Sequence, residues 1–159
     1  MTWNSGKVKM IDQTALPTRL RYVTYSKPEQ VAEAIRTMVV RGAPAIGVAA
    51  AMGAALGVVN SKKPSLGELL TELDSTAAML RSTRPTAVNL FWGIDRLRDK
   101  VRTAKSVRDA KELAVEEVKS MEEEDIAANR KLGAIGADLR GSGHAELPEG
   151  RSSPRRLPD

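Results

Sequence analysis

The chain has 159 residues, no cysteine, one histidine (His144), five aromatic residues, 42% apolar content and a net charge of +5. These counts exclude a disulfide framework, a thiolate zinc site and a thiol nucleophile within the chain, and any Ser-His-Asp triad would have to run through His144. The length suits one domain, and the mildly basic balance suits a phosphorylated ligand or weak nucleic-acid contact without specifying either.

The opening residues, Met1 to Lys7, lack the basic-then-apolar layout of a signal peptide. The longest apolar run, Ala43 to Val59, is shorter and richer in glycine than a membrane span of about 20 residues requires. The expectation is a cytoplasmic protein with no membrane partner. Residues 7–25 alternate in character: Val8, Met10 and Leu16 fall on one side of short stretches, and Leu20, Tyr22 and Thr24 repeat at period two. Two or three short strands in a small antiparallel sheet are predicted over residues 1–25, with Pro17 as an interruption.

Helices are predicted from residue 26 to 139 as a bundle. Ser26 is the expected N-cap of the first, Pro28 lies in its first turn, and Val31, Ala34, Ile35, Met38 and Val39 follow at helical spacing up to Gly42. A second helix is expected to open at Pro44. It is apolar on all faces, so it should be central and buried, with Gly47, Gly53 and Gly57 marking close backbone approach. Ser65 and Glu68 form a capping box for a third helix, with a stripe of Leu66, Leu69, Leu70, Leu73, Ala77 and Leu80. Leu90, Ile94, Leu97 and Val101 define a fourth. A fifth begins near Ser106 and carries Leu113, Ala114, Val118, Met121 and Ile126. Its acidic block Glu122–Asp125 is most simply a solvated face. Residues 140–159 hold three prolines, three glycines and four arginines against two leucines, a composition expected to be disordered.

Two turns carry the candidate chemistry. Arg41-Gly42-Ala43-Pro44 and Thr83-Arg84-Pro85-Thr86 each set an arginine just before a helix N-terminus. Free N–H groups and a partial positive charge there attract phosphate, and a guanidinium adds a fork matched to phosphate oxygens. If both helices begin at the same end of the bundle, the two arginines could clamp one ligand. An arginine in an interhelical turn is also commonly just solvated, and Gly-x-Pro is ordinary turn chemistry. The basic stretch Arg96, Arg98, Lys100, Arg102, Lys105, Arg108 and Lys111 has no interleaved aromatic residue, so a solvated helix is preferred there and no nucleic-acid partner is expected. Phe91 and Trp92 read as core residues rather than a ligand platform, and Trp3 as either packing or closing over a site. No carboxylate pair stands out as acid and base, and neither a metal nor a cofactor is expected.

Val39 to Ala50 resembles a sequence block of the S-methyl-5-thioribose-1-phosphate isomerases. Ser82 to Leu90 resembles a second block, and Ile11-Asp12-Gln13-Thr14 with Leu16-Pro17, and Asp125 to Arg130, fit as well. The resemblance covers roughly residues 3 to 139. It implies the helical-bundle N-terminal domain of a fold shared with translation initiation factor 2B subunits and ribose-1,5-bisphosphate isomerases. The implied reaction converts 5-methylthioribose 1-phosphate into 5-methylthioribulose 1-phosphate in methionine salvage. Carried over by motif, Arg41, Gly42, Ala43 and Arg84 would hold the phosphorylated pentose, chiefly its phosphate. The resemblance also implies homodimers for full-length members, and a Rossmann-like C-terminal domain that supplies a catalytic cysteine and aspartate. That domain is absent from this sequence, so the expectation is an inactive N-terminal portion from a truncated or frame-shifted gene, with an out-of-frame tail. The alternative is a non-catalytic regulatory subunit, like those of initiation factor 2B, that binds nucleotide or sugar phosphate.

Overall fold

Three short strands form the N-terminal sheet: β1 (Thr2–Asn4), β2 (Lys7–Ile11) and β3 (Tyr22–Tyr25), antiparallel in the order β1-β2-β3. The computed structural model describes residues 1–141. Ser5 and Gly6 join β1 to β2 with φ of 47° and 72°, the two positive values that a tight twisted hairpin needs. Trp3 pairs with Val8, Val8 with Tyr25, and Met10 with Val23, so alternate residues of all three strands build one inward face. Trp3 is therefore a packing residue: it is buried, and its backbone N–H donates to Glu122 Oε2 at 2.9 Å. The period-two reading of β3 selects the outer face, since Tyr22 and Thr24 are exposed while Val23 and Tyr25 turn inward. Leu16 and Leu20 lie outside the strands and are exposed.

Five helices follow: α1 (Pro28–Arg36), α2 (Ala43–Asn60), α3 (Leu66–Arg81), α4 (Val88–Arg102) and α5 (Val107–Gly141). The molecule is thus mainly helical with a small three-stranded sheet. α1 differs from expectation at both ends. Lys27, not Ser26, is its N-cap, and the Gln30 side chain accepts the N–H groups of both. It stops at Arg36 because Met38 takes a left-handed φ of 61°, which a helix does not tolerate. Gly42 belongs to the next helix as its N-cap, and Pro44 is the second helical residue rather than the first.

α2 is 18 residues long with a mean hydropathy of 1.6, long and apolar enough by those measures to cross a membrane. In the fold those side chains serve internal packing, because α1, α3 and α4 all pack against α2. A Cβ on Gly53 would lie 3.0 Å from Val31 of α1 and 3.2 Å from Leu80 of α3. One on Gly57 would lie 3.1 Å from Thr76 of α3. Ser65 caps α3, its Oγ accepting the Glu68 N–H at 3.3 Å, but the Glu68 carboxylate accepts the Ser65 hydroxyl at 3.0 Å where the predicted box has it on the Ser65 N–H. Of the predicted stripe, Leu69, Leu73, Ala77 and Leu80 are buried, and Leu66 and Leu70 half-buried. All four stripe residues of α4 are buried.

The chain divides after Ile126 into two units. Within the first, α5 buries Ala110, Ala114, Val118 and Met121, whereas Ile126 is exposed. The described part of the second unit is helical to Gly141, and Leu132 and Ile135 are exposed in it. The helix covers Arg140 and Gly141, the first two residues of the segment whose composition predicts disorder. The rest of it, with His144, lies outside the described residues.

Charged residues do more than face solvent. Arg96 forms a bidentate pair with Glu124 at 2.6 Å and donates to Glu117 at 2.6 Å. Arg98 and Arg102 both reach Asp74 on α3. Arg96, Arg98, Lys100 and Arg102 of the basic stretch and Glu124 of the acidic block therefore form interhelical pairs, where the sequence predicts solvated faces.

Candidate functional site: two uncapped helix N-termini

Successive helix contacts fix the direction of α2 and α4. Gly53 and Gly57 of α2 meet Leu80 and Thr76 of α3, so these helices run antiparallel. Arg81 pairs with Asp95, and Asp74 with Arg98 and Arg102, so α3 and α4 run antiparallel as well. α2 and α4 consequently share a direction, with their N-termini at one end of the bundle. They touch closely there. A Cβ on Gly47 would sit 2.7 Å from the Asn89 carbonyl oxygen, and one on Gly93 would collide with the Gly47 carbonyl. Gly93 had no reading from the sequence. Its signal is the Gly47–Gly93 pair, one glycine near the start of each helix.

These two N-termini differ chemically from the other three. α1 has Glu29 in its first turn and the Gln30 side chain over its opening N–H groups. α3 has Ser65 and Glu68. α5 has Ser106 accepting the Asp109 N–H at 3.1 Å, while Asp109 accepts the Lys105 N–H at 2.7 Å. α2 and α4 have neither a capping side chain nor an acidic residue in the first turn. Gly42, at φ 99°, leads into α2, and the Ile46 N–H bonds the Gly42 carbonyl. Ala43 and Ala45 are left with free N–H groups in the first turn, since Pro44 has none. In α4 the Leu90 N–H bonds the Ala87 carbonyl, leaving Val88 and Asn89.

Each of these ends is preceded by one of the predicted arginines. Arg41 is exposed and Arg84 half-buried. Among the described residues neither guanidinium has an ion-pair or hydrogen-bond partner, a state shared with Arg19 and Arg130, whereas Arg21, Arg36, Arg81, Arg96, Arg98, Arg102 and Arg108 are paired. Gly42 and Ala43 are exposed beside Arg41. No group of three or more His, Cys, Asp or Glu among the described residues is arranged to hold a metal ion.

The loop before α2 is held by a residue that sequence reasoning had not assigned to the site. Gln13 Nε2 donates to the Arg41 carbonyl at 3.2 Å, and the Gln13 N–H donates to the Val39 carbonyl at 3.0 Å. Gln13 is itself fixed by the buried Asp12 turn. Asp12 Oδ1 accepts from the Thr14 N–H at 2.9 Å and its hydroxyl at 2.6 Å, and Oδ2 accepts from Arg21. The Thr14 hydrogen bonds, then Arg21, hold the Asp12 carboxyl below the usual carboxylate range. Trp92, expected in the core, is 49% exposed, because the buried stripe of α4 passes through Leu90 and Ile94 on either side of it. Phe91 is half-buried, with the Arg81 guanidinium 5.5 Å from its ring centre.

Known proteins share this fold. A methylthioribose-1-phosphate isomerase of Crocosphaera subtropica is 46% identical over 132 residues, covering 82% of this chain and 38% of its own length. The crystal structure of 5-methylthioribose 1-phosphate isomerase from Pyrococcus horikoshii matches with a TM-score of 0.81 at 40% identity, over 87% of this chain and 39% of that one. The crystal structure of translation initiation factor eIF-2B, subunit delta, from A. fulgidus matches with a TM-score of 0.81 at 43% identity, over 87% and 40%. The chain therefore spans about two-fifths of the length of these relatives. The profile of the initiation factor 2 subunit family matches residues 39–148, past the Leu139 limit drawn from sequence motifs. With that profile matching more than half of the sequence, the chain belongs to the initiation factor 2 subunit family.

Proposed function

We propose that this chain carries the phosphate-gripping part of an aldose–ketose isomerase site for methylthioribose 1-phosphate. The observation that carries the reading is the pair of uncapped N-termini at one end of the bundle, each preceded by an arginine without a partner among the described residues. Four backbone N–H groups, on Ala43, Ala45, Val88 and Asn89, are available to donate hydrogen bonds to phosphate oxygens. Arg41 and Arg84 add two guanidinium forks. The substrate class comes from the names of the isomerase relatives.

The reaction makes a specific demand of such a grip. The sugar ring opens and hydrogen moves between C2 and C1 while the phosphate stays on C1. Backbone dipoles fixed in two packed helices hold the phosphate without reorganising as the ring opens. Hydrogen transfer itself is assigned to no residue of this chain.

Calorimetric titration of methylthioribose 1-phosphate into the purified chain tests the reading. Arg41→Ala and Arg84→Ala are each expected to weaken binding by about tenfold to a hundredfold, the usual worth of a charge-assisted hydrogen bond. Unchanged affinity in both variants would reject it.

A second reading is a regulatory subunit that binds sugar phosphate or nucleotide without catalysis and associates with other subunits. The likeness to the eIF-2B delta structure favours it. Recovery of translation factors in a pull-down, with no effect of sugar phosphate on the melting temperature, would select it over the first.

A further inference from the structure

We infer that Arg21, whose guanidinium is engaged by Asp12 rather than free for a ligand, is a positioning residue for the candidate anion site: through the buried Asp12 carboxylate it fixes the turn from which Gln13 holds the backbone of Arg41. The inference rests on the isomerase reading above and adds a residue that acts on the phosphate grip without touching the ligand.

Asp12 and Arg21 close a loop. Ile11 and Tyr22 are the last paired residues of β2 and β3, and one step beyond them the Asp12 N–H donates to the Arg21 carbonyl at 2.9 Å. The side chains join the same two residues, with Arg21 Nε donating to Asp12 Oδ2 at 2.9 Å and Nη2 donating to the same oxygen. Residues 13–20 are therefore tied at their base by backbone and side chain together. The loop is also bonded internally, from the Leu16 N–H to the Gln13 carbonyl at 3.3 Å and from the Arg19 N–H to the Ala15 carbonyl at 2.9 Å.

The pair is lopsided in its exposure. The Asp12 side chain is fully buried, whereas 64% of the Arg21 side chain is exposed. A buried carboxylate needs donors on both oxygens. Thr14 supplies those on Oδ1 and Arg21 those on Oδ2. Withdrawing Arg21 leaves Oδ2 charged and without these donors, so the carboxylate must turn toward water or take up a proton. Either change pulls on Thr14, bonded to the same carboxylate, and hence on Gln13, which lies between them in sequence.

Gln13 carries the change to the site. Its N–H reaches the Val39 carbonyl and its side-chain amide the Arg41 carbonyl, alternate residues of the linker between α1 and α2. α1 holds the residue between them, since the Val40 N–H donates to the Ala34 carbonyl at 3.3 Å and Val40 is buried. The linker is thus gripped by α1 at Val40 and by the loop at Val39 and Arg41. The Gln13 side chain bonds the residue next to Gly42, where the chain turns at φ 99° toward the free N–H groups of α2. Donors held in fixed positions grip an anion better than donors that must be gathered on binding, so the tether at Arg41 bears on affinity.

A double-mutant cycle of Arg21→Ala and Gln13→Ala in the purified chain tests this, with methylthioribose 1-phosphate as the probe and amide NMR as the readout. Arg21→Ala should weaken binding about threefold to tenfold. In the Gln13→Ala background the same substitution should add almost nothing, because the route to Arg41 is already cut. A lost positive charge acting only through its long-range field would instead weaken binding equally in both backgrounds. Arg21→Lys keeps the charge and loses the double donation into Oδ2. It should weaken binding about twofold, again only when Gln13 is present, and keeps the cycle readable if Arg21→Ala does not fold. In the free protein, Arg21→Ala and Gln13→Ala should both shift the N–H signals of Gly42 and Ala43 and leave those of Val88 and Asn89 in place. Equal losses in both backgrounds, or unmoved Gly42 and Ala43 signals in the Arg21 variants, would overturn the inference. The isomerase reading would then stand as long as Arg84→Ala still weakened binding. A wild-type chain that binds no methylthioribose 1-phosphate would bring both down.

Discussion

Gly47 of α2 and Gly93 of α4 meet backbone to backbone, and neither position has room for a Cβ. This crossing brings the N-termini of the two helices side by side, so the candidate anion site depends on two residues that touch no ligand.

Replacing either glycine by alanine should therefore destabilise the fold, although alanine is the better helix former by about 1 kcal/mol. Forcing a methyl group against a carbonyl is expected to cost about 1–3 kcal/mol, read from urea unfolding. Gly67 is the internal control. It lies in α3 with nothing within 4 Å of its missing Cβ, and Gly67→Ala should stabilise by about 0.5–1 kcal/mol. Stabilisation by all three substitutions would contradict the crossing.

Gln13 anchors the backbone at Arg41, so Gln13→Ala should loosen the α2 entry without emptying a core site. The expected result is a severalfold loss of phosphate affinity with little change in melting temperature. Gln13→Glu, which keeps an acceptor and removes the donor, should behave like alanine. Full affinity in both variants would show that the tether is not used.

The Arg96–Glu124 pair has a pH consequence. Hydrogen bonds from Arg96 hold the Glu124 carboxyl down to about 2, against an ordinary value of 4.5. A carboxylate depressed in the folded state contributes its stability above the unfolded value and loses it as pH falls from about 4.5 through about 2. Glu124 is more than half exposed, so the effect on global stability is small, and the informative readout is local. A carboxyl-carbon NMR titration should give a Glu124 midpoint near 2 in the wild type and one returning toward 4.5 in Arg96→Gln. A wild-type midpoint already at 4.5 would contradict the pairing.

The legible parts of this fold are those specified by neighbours in sequence. The stripe of α4, most of that of α3, the Ser65 cap and the buried all-apolar α2 follow from helical period and capping chemistry. The end of α1 was illegible because it is made by Met38 in a left-handed conformation, where the usual stop is glycine. The roles of Arg96 and Glu124 were illegible because the two are 28 residues apart and meet only after α4 and α5 pack. In the site, Arg41 and Arg84 could be singled out because each stands in a Pro-containing turn before an apolar helix. That the two turns share one end follows from helix directions; Gly47 is legible as a close-approach glycine, and its partner Gly93 is not.

Resemblance to the isomerases implies a cysteine-dependent step, and these 159 residues hold no cysteine. The purified 159-residue polypeptide is expected to bind methylthioribose 1-phosphate and give no methylthioribulose 1-phosphate by NMR over hours. Turnover that disappears in Arg84→Ala would contradict this.

We propose that the α2 and α4 N-termini form one anion site. Amide chemical-shift mapping during titration with methylthioribose 1-phosphate tests it most directly. The N–H signals of Ala43, Ala45, Val88 and Asn89 should move together along one binding curve, and Arg41→Ala and Arg84→Ala should each weaken that single curve. Movement at one helix end alone, or at neither, would contradict it.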